Sequence, residues 1–307
     1  TEATEVQVVR LREESQRNTT TFSEVLQDFL EEKEQEGISE RHHQDLRHRL
    51  GRFAADYGNH PISTITRNTI STWILGLKVA RQTKINFRRI LSNLFGYAVR
   101  AEVIDSNPVT NVACPKVRRE KIVILGIEEC ERLLFHTPED LLPSVVLMLF
   151  CGVRNNETFR LNWKHVDWED GTIEVEPKDG KQDQHARYVK IPKNALEWIR
   201  PLAKRSGPIA DFYSFNVFTR RLTILRRAAG WEPGTWPDNA LRKTFISCHY
   251  ESHGSIDETV KQAGNSVRVA LKHYRKLIKK READKLWELF PPEGERNSSV
   301  VRMVEAA

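Results

Sequence analysis

The sequence predicts a mainly α-helical protein with two domains, the second of which also contains a small antiparallel β-sheet. The length of 307 residues suggests about two domains, because a domain commonly has roughly 100–200 residues. Apolar residues recur at helical spacing in most segments, which is typical of amphipathic helices. Residues 172–176 alternate between polar and apolar, and a turn signal and the strand-like segment 187–192 follow them. This order indicates a β-hairpin inside an otherwise helical domain.

The first half of the chain predicts an N-terminal arm followed by a helical domain. Residues 1–20 carry many charges and few apolar residues, so we expect an arm or a charged helix. The capping signal Thr-Thr-Thr-Phe-Ser-Glu opens the first helix near Thr21. The domain spans 21–111 and closes after a turn that contains Asn-Pro, and a basic linker at 112–122 follows. Its further helices are predicted at 39–57, 67–78 and 81–101.

Positive charge is concentrated in this helical domain. The chain has 48 Lys and Arg against 42 Asp and Glu, a net charge of +6, yet the stretch 57–101 contains no carboxylate side chain. We interpret this stretch as a surface that faces DNA phosphates, and a solvated basic helix face is the alternative. His42 and His43 are expected on a solvated helix face. The predicted phosphate contacts are Lys78, Arg81, Lys84, Arg88 and Arg89.

The second half of the chain predicts a mixed domain at 123–290. Two helices, at 126–135 and 141–151, precede a helical turn that runs from Arg154 through Leu161. The β-hairpin comes next. Further helices are predicted at 194–203, 214–229, 239–252, 256–263 and 266–280.

Four polar residues in this domain suit the chemistry of phosphodiester transfer. Arg154 and Arg242 would bind the non-bridging phosphate oxygens, because planar guanidinium groups match a phosphate with two parallel hydrogen bonds. Lys178, in the predicted hairpin, would protonate the leaving 5′ oxygen as a general acid. Tyr274 would attack the phosphorus and leave a 3′-phosphotyrosyl enzyme. This scheme needs no metal and no other cofactor, and the sequence contains no evident cluster of metal ligands.

The motifs around these residues resemble those of tyrosine recombinases, the phage integrase family. The string Gly-Val-Arg-Asn-Asn-Glu at 152–157 is similar to the family's Gly-Leu-Arg-x-x-Glu, and Leu-Arg-Lys-Thr-Phe at 241–245 is similar to Leu-Arg-His-Thr-Phe. Leu-Asn-Trp-Lys-His-Val-Asp at 161–167 resembles Leu-x-Trp-x-Asp-Ile-Asp, and Gly-Asn-Ser at 264–266 resembles Gly-His-Ser. Lys178 and the tyrosine also lie at the family's distances from these strings.

The resemblance covers about residues 20–285, and it implies both a fold and a mechanism. A helical, SAM-like core-binding domain and an integrase-like catalytic domain would form a clamp around double-stranded DNA. The protein would cut and rejoin DNA as a homotetramer. Glu157 would support the catalytic residues. These are Arg154, Lys178, Asn239, Arg242, Asn265 and Tyr274.

Two of these positions depart from the family's motifs, because Asn239 and Asn265 stand where the family has histidines. Asparagine forms hydrogen bonds but does not transfer protons near neutral pH. A lost proton transfer would cost on the order of 100–10,000-fold in rate. Three interpretations fit: a slower recombinase, a recombinase that borrows a nearby histidine, or a DNA-binding protein that does not cut. The histidines available for borrowing are His249, His273 and His185.

Three assignments have plain alternatives. Lys181 lies in the same turn as Lys178 and competes with it as the general acid. Glu157 is expected to orient an arginine, and an ordinary helix-surface carboxylate is the alternative. Tyr274 lies on an apolar helical face, where a core tyrosine would be ordinary; its distance of nine residues from Asn265 favours the nucleophile.

The C-terminal segment contains a short amphipathic stretch, 283–290, whose apolar side needs a partner. We predict that it docks on a neighbouring subunit of the DNA-bound tetramer, and packing against its own domain is the alternative. Residues 291–307 are expected to form a disordered tail. The predicted anchors are Leu286, Trp287, Leu289 and Phe290.

The composition argues against several other classes of protein. No apolar run reaches the roughly 20 residues that span a membrane, and no segment resembles a signal peptide. The four cysteines lack the spacing of a zinc site or a disulfide framework. We therefore expect a protein of the reducing cytoplasm that associates with the nucleoid. The chain starts with threonine, so a further N-terminal domain is left open.

The predicted function is site-specific DNA recombination or integration of the kind that mobile elements use. The alternative is a catalytically impaired DNA-binding protein with the recombinase fold, which occupies sites or regulates. The intact arginines, lysine and tyrosine favour the enzyme, and the two asparagines favour the alternative.

Overall fold

The computed structural model describes residues 19–113, 122–177, 186–268 and 277–292. These residues form two compact units, one before and one after the segment 114–121. Helices dominate both units, and the second unit also contains a three-stranded antiparallel sheet. The predicted fold class is therefore confirmed. The domain boundaries given above stay predictions.

The first unit consists of helices that begin and end within a few residues of their predicted bounds. Thr21 caps the first of them. Its hydroxyl accepts a hydrogen bond from the Glu24 backbone N–H at 3.3 Å, and the Glu24 carboxylate accepts one from the Thr21 N–H at 2.7 Å. This reciprocal capping box explains why the helix begins at the predicted signal. The helices are α1 (Phe22–Gln35), α2 (Glu40–Tyr57), α3 (Arg67–Gly76) and α4 (Arg81–Arg100).

The core of the first unit is built around aromatic side chains. The Phe22 ring lies 4.9 Å from the Phe53 ring and 6.0 Å from the Phe95 ring, measured between centroids, and all three are buried. Burial of each ring contributes about 1.5–3 kcal/mol. His43 is also buried, with Nε2 3.3 Å from the carbonyl oxygen of Leu30. The expectation of a solvated His43 was wrong, because helical spacing puts this residue in line with the buried leucines of α2.

The second unit is built around a helix that is buried on all sides. The helices of the second unit are α5 (Ile127–Phe135), α6 (Leu142–Phe150), α7 (Asn155–Thr158), α8 (Lys193–Ile199), α9 (Phe215–Ala228), α10 (Ala240–His253), α11 (Ile256–Ala263) and α12 (Lys280–Asp284). In α6, every residue from Pro143 to Phe150 is buried, as expected of a helix without a polar face. This helix packs against α8 and α10, and α10 carries one of the predicted site residues.

The sheet of the second unit contains the predicted hairpin. Its strands are β1 (Val166–Asp167), β2 (Thr172–Val175) and β3 (Arg187–Lys190), in the order β1-β2-β3. Ile173 pairs with Val189, and Val175 pairs with Arg187 at the end of the ladder. The prediction of an antiparallel hairpin is confirmed. The connecting segment 178–185 lies outside the described residues.

Two helices differ from the prediction. The helix expected from Arg154 through Leu161 ends at Thr158. The N–H groups of Arg160 and Leu161 bond to carbonyls three residues earlier, at 2.9 and 3.2 Å, and this tighter pattern ends the α-helix. Of the helix expected at 266–280, residues 269–276 lie outside the described residues, and residues 277–279 are not helical.

The C-terminal stretch packs against its own unit. Leu286 is fully buried, and the Trp287 ring lies 6.0 Å from the His249 ring between centroids. Leu289 is partly buried against the same core, whereas Phe290 is 42% exposed. The structure therefore shows the alternative arrangement, packing against its own unit, and docking of these anchors on a neighbouring subunit of a DNA-bound tetramer stays a prediction.

In the parts of the chain that the structure describes, no helix combines the length and the apolar character needed to cross a bilayer.

Candidate active site

A tight turn directly after the buried helix α6 positions Arg154. Gly152 in this turn has a left-handed φ of +64°, and a Cβ atom there would overlap the Phe245 ring, so the turn requires glycine. The backbone N–H of Arg154 donates to Glu157 Oε2 at 2.9 Å, and α7 begins at the next residue. The Arg154 side chain is 38% exposed. The guanidinium group thus reaches solvent from a backbone that packing holds in place.

Arg242 lies in the first turn of α10 and is only 8% exposed. Its Nη1 donates to the carbonyl oxygen of Gly152, and its Nη2 donates to the carbonyl oxygen of Ala263. A buried charge requires such partners, because losing hydration without them would be costly. One side chain therefore ties together the turn after α6, the start of α10 and the end of α11.

Asn265 lies between the two arginines and joins them. Its Oδ1 accepts a hydrogen bond from Arg154 Nη2 at 3.0 Å and another from Arg242 Nη2 at 2.8 Å. A guanidinium group only donates, so these two contacts identify the amide atom that faces the arginines as oxygen. The amide nitrogen is bonded to the same carbon, so its two N–H donors lie beside this oxygen and are not used by the arginine pair.

The turn after α11 brings Asn265 to this position. Gly264 has a left-handed φ of +63°, and its N–H donates to the Lys261 carbonyl at 3.3 Å while the Asn265 N–H donates to the Val260 carbonyl at 3.0 Å. These two bonds are a Schellman motif, which ends helices at a glycine. Arg154 Nη2 also donates to the Gly264 carbonyl at 2.5 Å, so the turn and the arginine fix each other.

Glu157 is a buried carboxylate shared between two arginines. Its Oε1 accepts from Arg154 Nη1 at 2.7 Å, and its Oε2 accepts from Arg187 Nη2 at 2.7 Å. Burial alone would raise the pKa of Glu157, but the hydrogen bonds and charge of Arg187, and then those of Arg154, lower that pKa to about 2. Glu157 is 9% exposed. It is therefore an arginine-orienting carboxylate and not a helix-surface one.

Arg187 is a residue of this cluster that the motif analysis missed. It is the first residue of β3, and its side chain is 18% exposed. A signal was present in the sequence, since alternation along a strand places Arg187 on the same face as Val189, which is buried. An arginine on the inward face of a strand needs an acceptor, and here that acceptor is Glu157.

Asn239 lies at the start of the helix that carries Arg242, but it is not joined to the cluster. It is the N-cap of α10, with a left-handed φ of 52° and ψ of 33°, a conformation that asparagine adopts more readily than most residues. Its carbonyl accepts from the Lys243 N–H at 2.9 Å, and its side chain is exposed. Within the described residues, no hydrogen bond connects this side chain to Arg154, Arg242 or Asn265.

His249, one of the histidines considered as a replacement, lies away from the arginine pair. It follows Arg242 by seven residues in α10, about 10 Å along the helix axis, and its Nδ1 lies 2.8 Å from Thr259 Oγ1. Burial, and then the charge of the stacked His253, lowers the pKa of His249 to about 4. His249 is therefore a buried packing residue. The other candidates, His185 and His273, lie outside the described residues, as do Lys178, Lys181 and Tyr274.

The predicted DNA-binding residues of the first unit divide into two groups. Lys78, Arg81 and Arg89 are exposed. Lys84 Nζ donates to the Leu75 carbonyl at 2.5 Å, and Arg88 Nη2 donates to the Thr110 carbonyl at 2.8 Å. The second group therefore has a structural role in the unit, whereas the first group is free of such backbone bonds among the described contacts. Phosphate contacts by all five residues stay predictions.

The arginine cluster can bind an oxyanion. Arg154 and Arg242 supply two charges in a fixed relative position, and the N–H groups of Asn265 are held beside them by the same hydrogen bonds. Such preorganised donors stabilise charge that develops during a reaction. In the described part of the chain, no group of three His, Cys, Asp or Glu side chains is placed to hold a metal ion.

Comparisons with known proteins give a consistent result. The family model described as the phage integrase family matches residues 127–281. The tyrosine recombinase XerC of Escherichia coli O157:H7 is 30% identical over 182 residues, which are 54% of this chain and 60% of that protein. XerC of Xanthomonas axonopodis pv. citri is 25% identical over 186 residues, with coverage of 56% and 60%. The matched region thus spans about 60% of the length of these relatives.

Solved structures with the same fold include a lambda integrase dimer bound to a COC′ core site. Its TM-score is 0.68 at 18% identity, and the match covers 89% of this chain and 83% of that one. The Tn1549 transposon integrase in complex with transposon right end DNA has a TM-score of 0.64 at 18% identity, with coverage of 87% and 98%. A lambda integrase tetramer bound to a Holliday junction has a TM-score of 0.67 at 18% identity, with coverage of 83% and 78%. At this identity the likeness concerns the fold alone.

Proposed function

Because the chain belongs to the phage integrase family, we propose that it is a site-specific recombinase that cleaves and rejoins DNA through a 3′-phosphotyrosyl intermediate. One observation carries the proposal. The guanidinium groups of Arg154 and Arg242 are held together by the oxygen of Asn265 and by backbone carbonyls. This arrangement suits a phosphate whose non-bridging oxygens gain charge during substitution at phosphorus.

The proposed cleavage step uses the two arginines, Lys178 and Tyr274. The Tyr274 hydroxyl releases its proton to solvent and its oxygen forms a bond to the scissile phosphorus while the bond from phosphorus to the 5′ oxygen breaks. Lys178 protonates the departing 5′ oxygen. Arg154 and Arg242 stabilise the charge on the non-bridging oxygens. Attack by a second 5′ hydroxyl on the phosphotyrosine reverses the step on a new partner strand, so the exchange needs no external energy source.

Asn265 is proposed to donate a hydrogen bond to a non-bridging oxygen through Nδ2. The arginines accept nothing and bind only its oxygen, so the N–H side of the amide is available in a fixed direction. Asn239 is proposed as a second donor because it lies at the N-cap of the helix that carries Arg242. Neither asparagine moves a proton in this scheme.

The proposed partner is double-stranded DNA, which the exposed basic residues of the first unit would contact through phosphates. The proposed assembly on DNA is a tetramer. The lambda integrase structures with the same fold include a DNA-bound dimer and a Holliday-junction tetramer. Because the C-terminal stretch is already packed on its own unit, subunit contacts would have to use other surfaces or require this stretch to detach.

A second function is favoured by one observation. Asn239 and Asn265 stand at two predicted catalytic positions where the family has histidine, and His249 does not reach the arginine pair. The same fold could then occupy DNA sites without cutting them. In that case Arg154 and Arg242 would bind a phosphate, and Tyr274 would form no covalent bond.

The two functions are separated by trapping the covalent intermediate. The substrate is a nicked duplex with the sequences that flank the gene, in which the short product diffuses away after cleavage. A protein band linked to DNA on a denaturing gel, absent in Tyr274→Phe, is expected for the recombinase. Tight binding to the same duplex without any band would instead favour the site-occupying protein, and Asn265→His together with Asn239→His would then test whether the asparagines silence it.

A further inference from the structure

Arg187 makes contacts to two separate elements of the site. Its Nη2 donates to Glu157 Oε2 at 2.7 Å, and its Nη1 lies 3.3 Å from Glu157 Oε1. Its Nε donates to the Gln262 carbonyl at 3.2 Å. All three nitrogens of one planar group are therefore used, two on α7 and one on the last turn of α11. This is the bidentate geometry that an arginine provides and a lysine does not.

The contact with α11 extends to the turn that carries Asn265. A Cβ atom at Gly264 would lie 3.0 Å from the guanidinium carbon of Arg187, so the group packs closely on this turn. Gln262 also accepts, through Oε1, a hydrogen bond from the Lys190 backbone N–H at 2.9 Å. Strand β3 is thus fixed to the end of α11 at two points, and Arg187 is the point next to Gly264.

The contact between Arg187 and Glu157 of α7 determines how the guanidinium group of Arg154 is held. Glu157 receives Arg154 Nη1 on Oε1 and Arg187 Nη2 on Oε2, so each arginine limits how far the carboxylate can turn toward the other. Without Arg187, Glu157 would be free to turn toward Arg154. The guanidinium of Arg154 would then lose its fixed direction toward Asn265 and the oxyanion.

We propose that Arg187 is a positioning residue: it orients Arg154 through Glu157 and braces the turn at 262–265 that holds Asn265. The inference rests on the proposed cleavage function, since it assigns Arg187 a part in that reaction. Arg187 itself binds protein groups in all its described contacts and would not touch the phosphate. Its effect on cleavage should therefore depend on Glu157.

A double-mutant cycle tests this dependence. Single-turnover cleavage of the nicked duplex is measured for Arg187→Gln, Glu157→Gln and the double variant. We expect each single variant to lose about 100-fold, the effect of a small displacement of a catalytic group. The double variant should lose far less than the product of the two losses, because both changes break the same linkage. Losses that multiply, or an Arg187→Gln rate equal to wild type, would overturn the proposal.

Two further variants distinguish a loss of positioning from a loss of folding. Arg187→Lys keeps the charge but cannot donate to Glu157 and Gln262 in one plane. It should retain DNA affinity within threefold and still lose cleavage. Tyr188→Gln is the matched control, because Tyr188 is the next residue of β3 and is 67% exposed, and its rate should equal that of wild type. If Arg187→Lys loses cleavage only in proportion to its unfolded fraction, the positioning role is rejected.

Amide hydrogen exchange decides the inference even if the wild-type protein cuts nothing. In Arg187→Gln, exchange at residues 262–266 and 187–190 should become at least tenfold faster, while α6 should be unchanged. Unchanged exchange at 262–266 would reject the bracing role. An inactive wild type with this exchange pattern would reject the proposed recombinase but support the bracing of the turn at 262–265 by Arg187, so failure of the function and failure of the bracing role are distinguishable.

Discussion

Asn265 differs from the imidazole of the family motif in one physical respect: its amide does not titrate. Two arginines fix its oxygen, at 3.0 and 2.8 Å, so its N–H donors keep one direction at every pH. A histidine with an ordinary pKa near 6.5 would gain or lose a charge close to neutrality. The substitution thus replaces a group that could transfer a proton with one that only donates hydrogen bonds.

Asn265→Asp tests this donor role. The change keeps the size of the side chain and gives the arginines a carboxylate to bind, but it removes both N–H donors. Cleavage should fall by about 100–1,000-fold, the usual effect of losing one donor to a developing oxyanion. Single-turnover trapping of the phosphotyrosine measures it. Asn265→His serves as the comparison. Its cleavage rate should change between about pH 5.5 and 7.5, because an ordinary histidine side chain gains or loses its proton in this range. A wild-type cleavage rate with the same pH dependence would contradict the proposal.

The second unit should become less stable at acidic pH, where Glu157 gains a proton. Its pKa of about 2 in the folded protein lies below the value near 4.3 of an unfolded glutamate. The stabilisation is therefore complete above about pH 4.3 and is lost as the pH falls toward 2. A shift of this size corresponds to about 3 kcal/mol. Urea unfolding between pH 2.5 and 6 measures it, and Glu157→Gln should flatten the curve in that range.

The residues of the site were predictable from the sequence to different degrees. Arg154, Arg242 and Asn265 were identified by motifs, and the structure brings them into one hydrogen-bonded group. Arg187 was missed because its role depends on Glu157, which lies 30 residues away in sequence and contacts it only in the folded protein. Lys178 and Tyr274 stay predictions.

At the scale of elements, local signals gave correct boundaries where the determining contacts are local. The capping box at Thr21 and the hairpin of β2 and β3 are examples, since a few neighbouring residues determine them. The C-terminal stretch was different, because an amphipathic pattern shows that an apolar face is covered but not what covers it. In this structure α10 covers the apolar face of the C-terminal stretch, and Trp287 packs against it.

The packing of α10 with the C-terminal stretch should weaken as the pH falls. His249 has a pKa of about 4 in the folded protein and about 6.5 when unfolded. Between these values the unfolded chain binds the extra proton, so the free energy of unfolding falls as the pH drops from 6.5 to 4. The change would be about 3 kcal/mol for the full shift. His249→Phe, compared with the exposed His42→Phe, should lose this dependence in thermal unfolding at pH 4–7; an unaltered dependence would contradict the assignment.

At the scale of the whole molecule, DNA affinity should depend on salt through the exposed cations of the first unit. Replacing Lys78, Arg81 and Arg89 by alanine should lower the slope of log affinity against log salt by about 2.7, or about 0.9 per lost phosphate contact. The loss should be similar for any duplex, because phosphate contacts carry no base sequence. Fluorescence anisotropy at several salt concentrations measures it. The control variant, Lys204→Ala with Arg205→Ala, removes two exposed cations of the second unit. If the slope changes equally per residue in this control, the salt dependence comes from the net charge of the protein and not from the basic surface of the first unit.

The bonds of Arg242 to Gly152 and Ala263 also have a consequence for how the protein is made. The hydrogen bonds that assemble the arginine pair join residues that are up to 111 apart in sequence, so the pair forms only after the last of these residues has been synthesised. A nascent chain that ends before Arg242 has a complete first unit but no assembled arginine pair. If the protein cuts DNA, the cell is therefore not exposed to a partly made nuclease, since the chemistry becomes available only when the long-range fold is complete.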